Sequence, residues 1–120
     1  MGGRNNMFDP YAQFERQKSV FYAHPFVYEQ VELKAATDLE LPTGAIIKIV
    51  NGTASLATDN LAVDDNFAVV FGPVTLNATT KTSTVIVRHC EVVKDQVIVA
   101  SGASIDTIAA VCAKKGIYIH

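Results

Sequence analysis

The sequence predicts an α+β protein that is mainly β: a small, compact, β-rich domain with one C-terminal helix and an extended N-terminal arm. Its strands would form a short mixed sheet or a partial barrel. Three observations support this prediction. Short runs between residues 26 and 100 alternate apolar with polar residues, which is the period of a strand. One stretch near the C-terminus has helical spacing instead. Seven of the ten aromatic residues lie in the first 28 positions. We therefore divide the chain into an arm, residues 1–25, and a single domain, residues 26–120.

Composition narrows the class of partner. The chain has 120 residues, 49% of them hydrophobic and 18% charged, so it can bury roughly two thirds of the surface that its unfolded form exposes. Its formal net charge is -2, and only Lys114 and Lys115 are adjacent basic residues. Because each neutralised phosphate needs its own cation, we expect no nucleic-acid partner. No apolar run approaches the ~20 residues of a membrane span, and no secretory signal is visible. We expect neither membrane insertion nor export.

The arm contains the signals of one short helix. Asp9 can cap it and Pro10 can occupy its first position, with Tyr11 and Phe14 three residues apart on one side. Pro25 prevents a helix from continuing through this point, because the residue before a proline is displaced towards extended geometry. The arm should therefore contain at most a short helix.

The first strands follow the arm directly. Residues 26–33 alternate in the strand period, and residues 34–42 are predicted to be a linker. The stretch "GAIIKIVNG", residues 44–52, predicts a β-branched strand closed by Asn51-Gly52, the commonest two-residue hairpin turn.

The middle of the chain continues the sheet. Residues 67–76 predict a strand interrupted at Gly72-Pro73, because proline cannot donate to a central ladder and marks a bulge or bend. Further strands are predicted at residues 82–93 and 96–100. Turns or loops separate these runs at residues 60–66, 77–81 and 94–95.

The stretch "SIDTIAAVCAKKG" predicts the C-terminal helix. Ser104 can cap it, Asp106 lies where the helix dipole favours an anion, Lys114-Lys115 lie at the opposite end, and Gly116 ends it. Its buried face would comprise Ile105, Ile108, Ala109 and Cys112. A short strand at residues 117–119 would follow.

Arg88, His89 and Cys90 stand side by side, which raises the question of a reaction centre. Successive side chains of a strand point to opposite faces, so His89 and Cys90 should diverge. Arg88 shares a face with Cys90, but this face offers the thiol no base. We therefore interpret the three residues as part of the wall of the domain, with Cys90 a small buried hydrophobe.

Metal and cofactor chemistry lacks a motif in this sequence. The two cysteines have no CxxC spacing and the three histidines, His24, His89 and His120, are scattered, whereas a zinc site needs about four ligands. The acidic loop at residues 59–66 does not match the spacing of a calcium loop. No phosphate-binding glycine loop or hydrolase motif is present either. We expect no metal, no cofactor and no enzymatic activity.

The aromatic residues of the arm are the strongest candidates for a functional surface, because aromatic side chains anchor interfaces at low entropic cost. We expect Phe8, Tyr11 and Phe14 to contact a partner. For the residues from Phe21 to Tyr28, packing on the domain and contact with a partner remain equal alternatives.

Three stretches carry a resemblance to a known family. "LPTGAIIKIVNGTASLATD" looks like an early hairpin, "NFAVVFGPVTLNATTKTSTVIVRHCEVV" like central strands with a glycine after a valine-rich run, and "IDTIAAVCAKKGIYI" like a closing helix with a final Gly-Ile strand. In this order, over about two thirds of the chain, they resemble the lambda-type head decoration (capsid-stabilising) proteins of tailed bacteriophages.

This resemblance implies a structural protein without enzymatic activity. It would form homotrimers at local three-fold positions on the outer surface of the expanded head and cement neighbouring subunits of the major capsid protein. It would be made in the host cytoplasm and end in the virion. The family also implies that the arm becomes ordered by adding to a strand of the capsid protein, which is β-augmentation. On this interpretation the capsid-contact candidates are Phe8, Tyr11, Phe14, Phe21 and Tyr22.

Two alternatives come from other classes. The chain could be a small β-barrel binding module, either a tail or baseplate accessory or a carbohydrate binder, with the aromatic residues as a stacking platform. A thiol enzyme using Cys90 or Cys112 is the third hypothesis.

Overall fold

The computed structural model describes Val20, Phe21 and residues 28–120. Strands dominate this part of the chain, which contains one α-helix, α1 (Ile105–Ala113), and one 3-10 turn (Lys94–Gln96). The strands are β1 (Tyr28–Leu33), β2 (Leu39–Leu41), β3 (Ile46–Val50), β4 (Thr53–Leu56), β5 (Phe67–Val70), β6 (Val74–Leu76), β7 (Thr82–Val87), β8 (Cys90–Val92) and β9 (Ile117–Ile119). The predicted fold class, a mainly β α+β domain with a helix near the C-terminus, is confirmed.

The central sheet has five antiparallel strands in the order β1-β7-β5-β3-β4. Its two edge strands approach each other at one end through a parallel bridge between Lys34 and Thr53. There the Lys34 N–H donates to the Gly52 carbonyl (2.9 Å) and the Ala54 N–H donates to the Lys34 carbonyl (2.7 Å). The two edges of the sheet therefore meet at this one bridge, and the sheet does not form a closed barrel.

Both faces of this sheet are covered, so the core has two parts. The antiparallel pair β2–β6 packs on one face, where Leu41 and Leu76 meet Ile47 and Ile86. On the other face lie α1 and the parallel pair β8–β9. Every residue of β5 is buried, because this strand lies at the centre of the sheet and buries both faces. A continuous apolar run is typical of such a strand.

Several local predictions are confirmed. Asn51 and Gly52 both have positive φ angles, 53° and 79°, as a two-residue hairpin turn of this type requires. β5 and β6 are separated at Gly72-Pro73, which is a cis peptide bond. The buried Thr43 hydroxyl holds this bend by donating to the Phe71 and Gly72 carbonyls, at 3.1 and 2.8 Å. Proline marks the end of a ladder here because it has no N–H to donate.

The helix begins and ends where its capping residues predict. The Ser104 hydroxyl accepts a hydrogen bond from the Thr107 N–H (3.2 Å), and Gly116 has a φ of 88° just after the helix. Ile108 and Cys112 are its buried residues. β9 follows at once, so that α1 and β9 form one covering layer with β8.

Three strand predictions were wrong. The predicted linker at residues 34–42 contains β2, whose partner β6 lies far along the chain. The predicted strand at residues 82–93 divides into β7 and β8, which belong to different sheets. Residues 96–100 contain only an isolated bridge between Ile98 and Ala45. In each case pairing between distant segments decides the structure, whereas the local pattern contains only propensity.

Candidate interaction site

The body of the domain includes two residues that the sequence assigned to the arm. Val20 is completely buried and Phe21 is 6% exposed. Phe21 forms an antiparallel bridge with Val92, and the Val93 N–H donates to the Val20 carbonyl (2.8 Å). These contacts use the edge of β8 opposite β9. Val20 and Phe21 therefore fix the end of the N-terminal segment to the second layer of the fold.

The ring of Phe71 is the second part of this attachment. It lies 5.7 Å from the Phe21 ring in a tilted arrangement and 4.7 Å from the Tyr28 ring in an edge-to-face arrangement, both within the range of favourable aromatic pairs. Phe71 follows β5 directly, and its backbone N–H donates to the Val85 carbonyl (2.9 Å). Phe21 and Tyr28, which lie on either side of residues 22–27, thus contact one ring that the central sheet holds in place.

Phe71 was not among the residues predicted to be functional. The available signal was its position immediately before Gly72-Pro73, where a bend places a large side chain at the end of a buried strand. Tyr28 is half-exposed at 53%, so this aromatic cluster of Phe21, Tyr28 and Phe71 reaches the surface.

The predicted capsid-contact residues fall into two groups. Phe8, Tyr11, Phe14 and Tyr22 lie outside the described residues. Phe21 is described, and its ring packs in the core with Val92 and Cys90. Two alternatives were left open for Phe21, packing on the domain or contact with a partner. In the structure Phe21 packs on the domain.

Arg88 and His89 occupy the junction where the chain leaves one sheet for another. The Arg88 Nε donates to Glu29 Oε1 (2.6 Å), and its Nη1 donates to Asn66 Oδ1 (2.7 Å) and to the Phe67 carbonyl (3.3 Å). Arg88 thus ties the junction to β1 and to the beginning of β5. His89 is exposed, whereas Cys90 is buried, so the two side chains diverge as predicted.

Both thiols lie in the core. Burial raises the pKa of Cys90 to about 12, with a further contribution from nearby Cys112, and burial raises the pKa of Cys112 to about 11. A nucleophilic cysteine reacts as the thiolate, and such values keep both groups protonated at neutral pH. The environment of Cys90 and Cys112 is therefore that of structural cysteines.

The acidic loop uses its carboxylates to hold the chain. Asp59 Oδ1 accepts a hydrogen bond from the Ser104 N–H (2.6 Å), which joins the loop to the start of α1. Asp65 Oδ2 accepts one from the Ala62 N–H (2.8 Å) and pairs with Lys48 Nζ (3.4 Å). Within the described ranges, no group of three or more His, Cys, Asp or Glu side chains could hold a metal ion.

In the described part, none of the helices has the length and apolar character needed to cross a membrane. Comparison of the sequence with models of known protein families and with curated proteins finds no match.

Proposed function

We propose that this chain is a phage capsid decoration protein. It binds as trimers to the outer surface of the expanded head and stabilises the head by cementing neighbouring subunits of the major capsid protein. The proposal rests on the resemblance of the hairpin, central-strand and closing-helix stretches, and on the absence of a catalytic motif from the sequence.

The observation that carries the proposal is the way in which the N-terminal segment joins the body. Val20 and Phe21 are buried against β8. The arm, which carries the proposed contact residues, is therefore attached to the body at a fixed point. Phe8, Tyr11 and Phe14 lie six or more positions before Val20 in the sequence. Attachment to a rigid body limits the positions that the aromatic side chains of the arm can reach. This limit lowers the entropic cost of binding.

The proposed mechanism distributes the work between arm and body. The arm adds to a strand of the capsid protein, where main-chain hydrogen bonds supply affinity and side-chain pockets set the register. The body, whose sheet is covered on both faces, carries the arms of the trimer to adjacent subunits. Because many copies act on one shell, each arm needs only modest affinity.

Co-sedimentation with expanded heads of the tailed phage that encodes the chain tests this proposal. The full-length protein should bind saturably, and the variant with Phe8, Tyr11 and Phe14 replaced by Ala should lose most of this binding. A matched control replaces Asn5, Asn6 and Gln13 in the same segment by Ala and should bind normally. No binding by the folded full-length protein, or equal binding by both variants, would contradict the proposal.

One observation favours the carbohydrate-binding alternative. Tyr28 is half-exposed and its ring is held against Phe71, so one aromatic surface is presented on a rigid support, as sugar stacking requires. Titration with soluble glycans distinguishes the two functions. A saturable change in tyrosine fluorescence that disappears in the Tyr28→Ala variant would favour the binding module.

A further inference from the structure

A small polar cavity lies beside the β7–β8 junction. Its volume is about 170 Å³. Three parts of the chain meet here: the beginning of β5, the β7–β8 junction and the residues after α1. The cavity is lined by Asp65, Asn66, Phe67, Arg88, His89 and Lys115.

Two of the nitrogen-bearing side chains at this cavity have no acceptor in the described part of the protein. Lys115 Nζ lies 5.7 Å from the centroid of the Phe67 ring, and none of the described carboxylates forms an ion pair with it. The His89 ring lies against the backbone of Gly116, where a Cβ atom would overlap it. The described residues offer His89 no hydrogen bond.

The other two charged groups of the cavity are already engaged. Arg88 is held by Glu29, with 2.6 Å between Nε and Oε1. Asp65 accepts the Ala62 N–H and pairs with Lys48. The Ala62 N–H is the main cause that lowers the pKa of Asp65, so this carboxyl group is ionised at neutral pH.

The local charge is therefore positive by one unit. Arg88, Lys48 and Lys115 contribute three positive charges, and Glu29 and Asp65 contribute two negative ones. After the two ion pairs are formed, the charge of Lys115 remains uncompensated beside the cavity. A cation above an aromatic ring is also held in position, which reduces the entropy that binding an anion would cost.

We infer that this cavity binds a single carboxylate, with Lys115 as its counter-ion and with the His89 ring and Arg88 Nη2, which takes no part in the Arg88 contacts described above, as hydrogen-bond donors. The volume is below the roughly 300 Å³ at which pockets for drug-sized ligands begin, and it suits the end of an acidic side chain. A monoanion matches the excess charge of one, whereas a phosphate dianion would leave a negative charge facing Asp65.

The identity of the carboxylate follows from the proposed function, on which this step alone rests. If the chain decorates a capsid, the occupant is an Asp or Glu side chain of the capsid protein. The cavity would then be a second contact of the body, in addition to the arm. It would fix the orientation of the body on the shell.

Nuclear magnetic resonance titration of the full-length protein with sodium acetate tests the site itself. The resonances of the His89 ring and of the backbone amides of Asn66 and Lys115 should shift until the site is saturated. The dissociation constant should be roughly 10 mM for so small a ligand. Inorganic phosphate forms the second arm of the titration and should bind more weakly than acetate.

Matched lysine variants make the test specific. Lys115→Met removes the charge but keeps the apolar stem over Phe67, and it should weaken acetate binding at least threefold. Lys114→Met removes the same charge from the neighbouring exposed position, which does not line the cavity, and should leave binding unchanged. Shifts that do not saturate, tighter binding of phosphate, or equal effects of the two variants would overturn the inference.

Head binding separates this inference from the proposed function. Lys115→Met should bind expanded heads more weakly than Lys114→Met, while both keep the unfolding temperature of the wild type. Head binding without any difference between the two variants would overturn the capsid contact and leave the decoration function standing. Acetate binding with no head binding by any form would overturn the decoration function.

Discussion

Replacement of Phe21 by Ala tests where the arm ends and the body begins. Phe21 is 6% exposed and packs within the first part of the core, and its ring lies 5.7 Å from that of Phe71. Truncating a buried Phe to Ala costs about 3–5 kcal/mol, since both transfer free energy and packing are lost. The pair with Phe71 accounts for about 1 kcal/mol of such a loss.

These values predict a large effect for a domain of this size. Its total free energy of unfolding should lie between about 5 and 15 kcal/mol, so the Phe21→Ala variant loses a large part of its stability. At roughly 4 °C per kcal/mol, its unfolding temperature should fall by more than ~10 °C. The Phe21→Leu variant retains most of the apolar volume and should lose only about 1 kcal/mol.

The assay is urea unfolding followed by circular dichroism, which is suitable because the chain has no tryptophan. The midpoint should shift while the slope with urea stays constant. The variant with Phe8, Tyr11 and Phe14 replaced by Ala is the comparison and should change stability by less than about 0.5 kcal/mol. A loss below about 1 kcal/mol for Phe21→Ala, or above about 2 kcal/mol for the triple variant, would refute the division between body and arm.

Three further predictions concern the body. Cys90 and Cys112 should resist a mild thiol reagent in the native state. Because their folded pKa values exceed the ordinary 9.0, unfolded thiols lose protons first, so stability is full below pH 9 and falls as the pH rises towards 12. Replacing both cysteines by Ala should reduce the loss of stability between pH 9 and 12, measured by urea unfolding at each pH. An unchanged dependence of stability on pH would contradict the assignment of raised pKa values to the two thiols. Gly52→Ala should cost about 1 kcal/mol of stability, because Gly52 has a positive φ. Gly116→Ala should cost more, because the added Cβ would also overlap the His89 ring. Equal losses of stability in thermal unfolding would contradict this packing of His89 on Gly116. Thr43→Val should cost about 1–3 kcal/mol, since it removes the hydroxyl that donates to the Phe71 and Gly72 carbonyls, and a variant as stable as the wild type would show that this hydroxyl does not hold the bend.

The features that the sequence predicted correctly depend on local chemistry. Asn51-Gly52 forms its turn because both residues tolerate positive φ. Ser104 caps α1 and Gly116 ends it because the unpaired groups at helix ends need such partners. Neighbours in the sequence supply all of these interactions, so the local pattern is sufficient to predict them.

The features that the sequence missed depend on distant pairing. Nothing within residues 39–41 indicates that they pair with β6. The predicted strand at residues 82–93 includes both Val87 and Cys90, yet the chain changes sheets between them, because β7 lies between β1 and β5 in the central sheet whereas β8 pairs with β9. These strand pairs are determined by the tertiary contacts of the whole fold.

The candidate site was predicted in part for the same reason. The aromatic composition of the arm drew attention to Phe21, but its bridge with Val92 joins segments that are far apart in the chain. In the sequence, Phe71 resembles any residue of a buried strand. In the structure its ring contacts the rings of both Phe21 and Tyr28. The cavity beside Lys115 likewise arises only when three distant segments meet.

The thermal stability of expanded, DNA-filled heads tests the decoration function most directly. If the chain is a decoration protein, heads of the phage that encodes it can be prepared without it and heated with and without a saturating amount of the purified full-length chain, and released DNA is measured with an intercalating dye. The proposed function predicts that the protein raises the temperature of DNA release. The variant with Phe8, Tyr11 and Phe14 replaced by Ala should not raise it. An unchanged release temperature at full occupancy of the shell would contradict it.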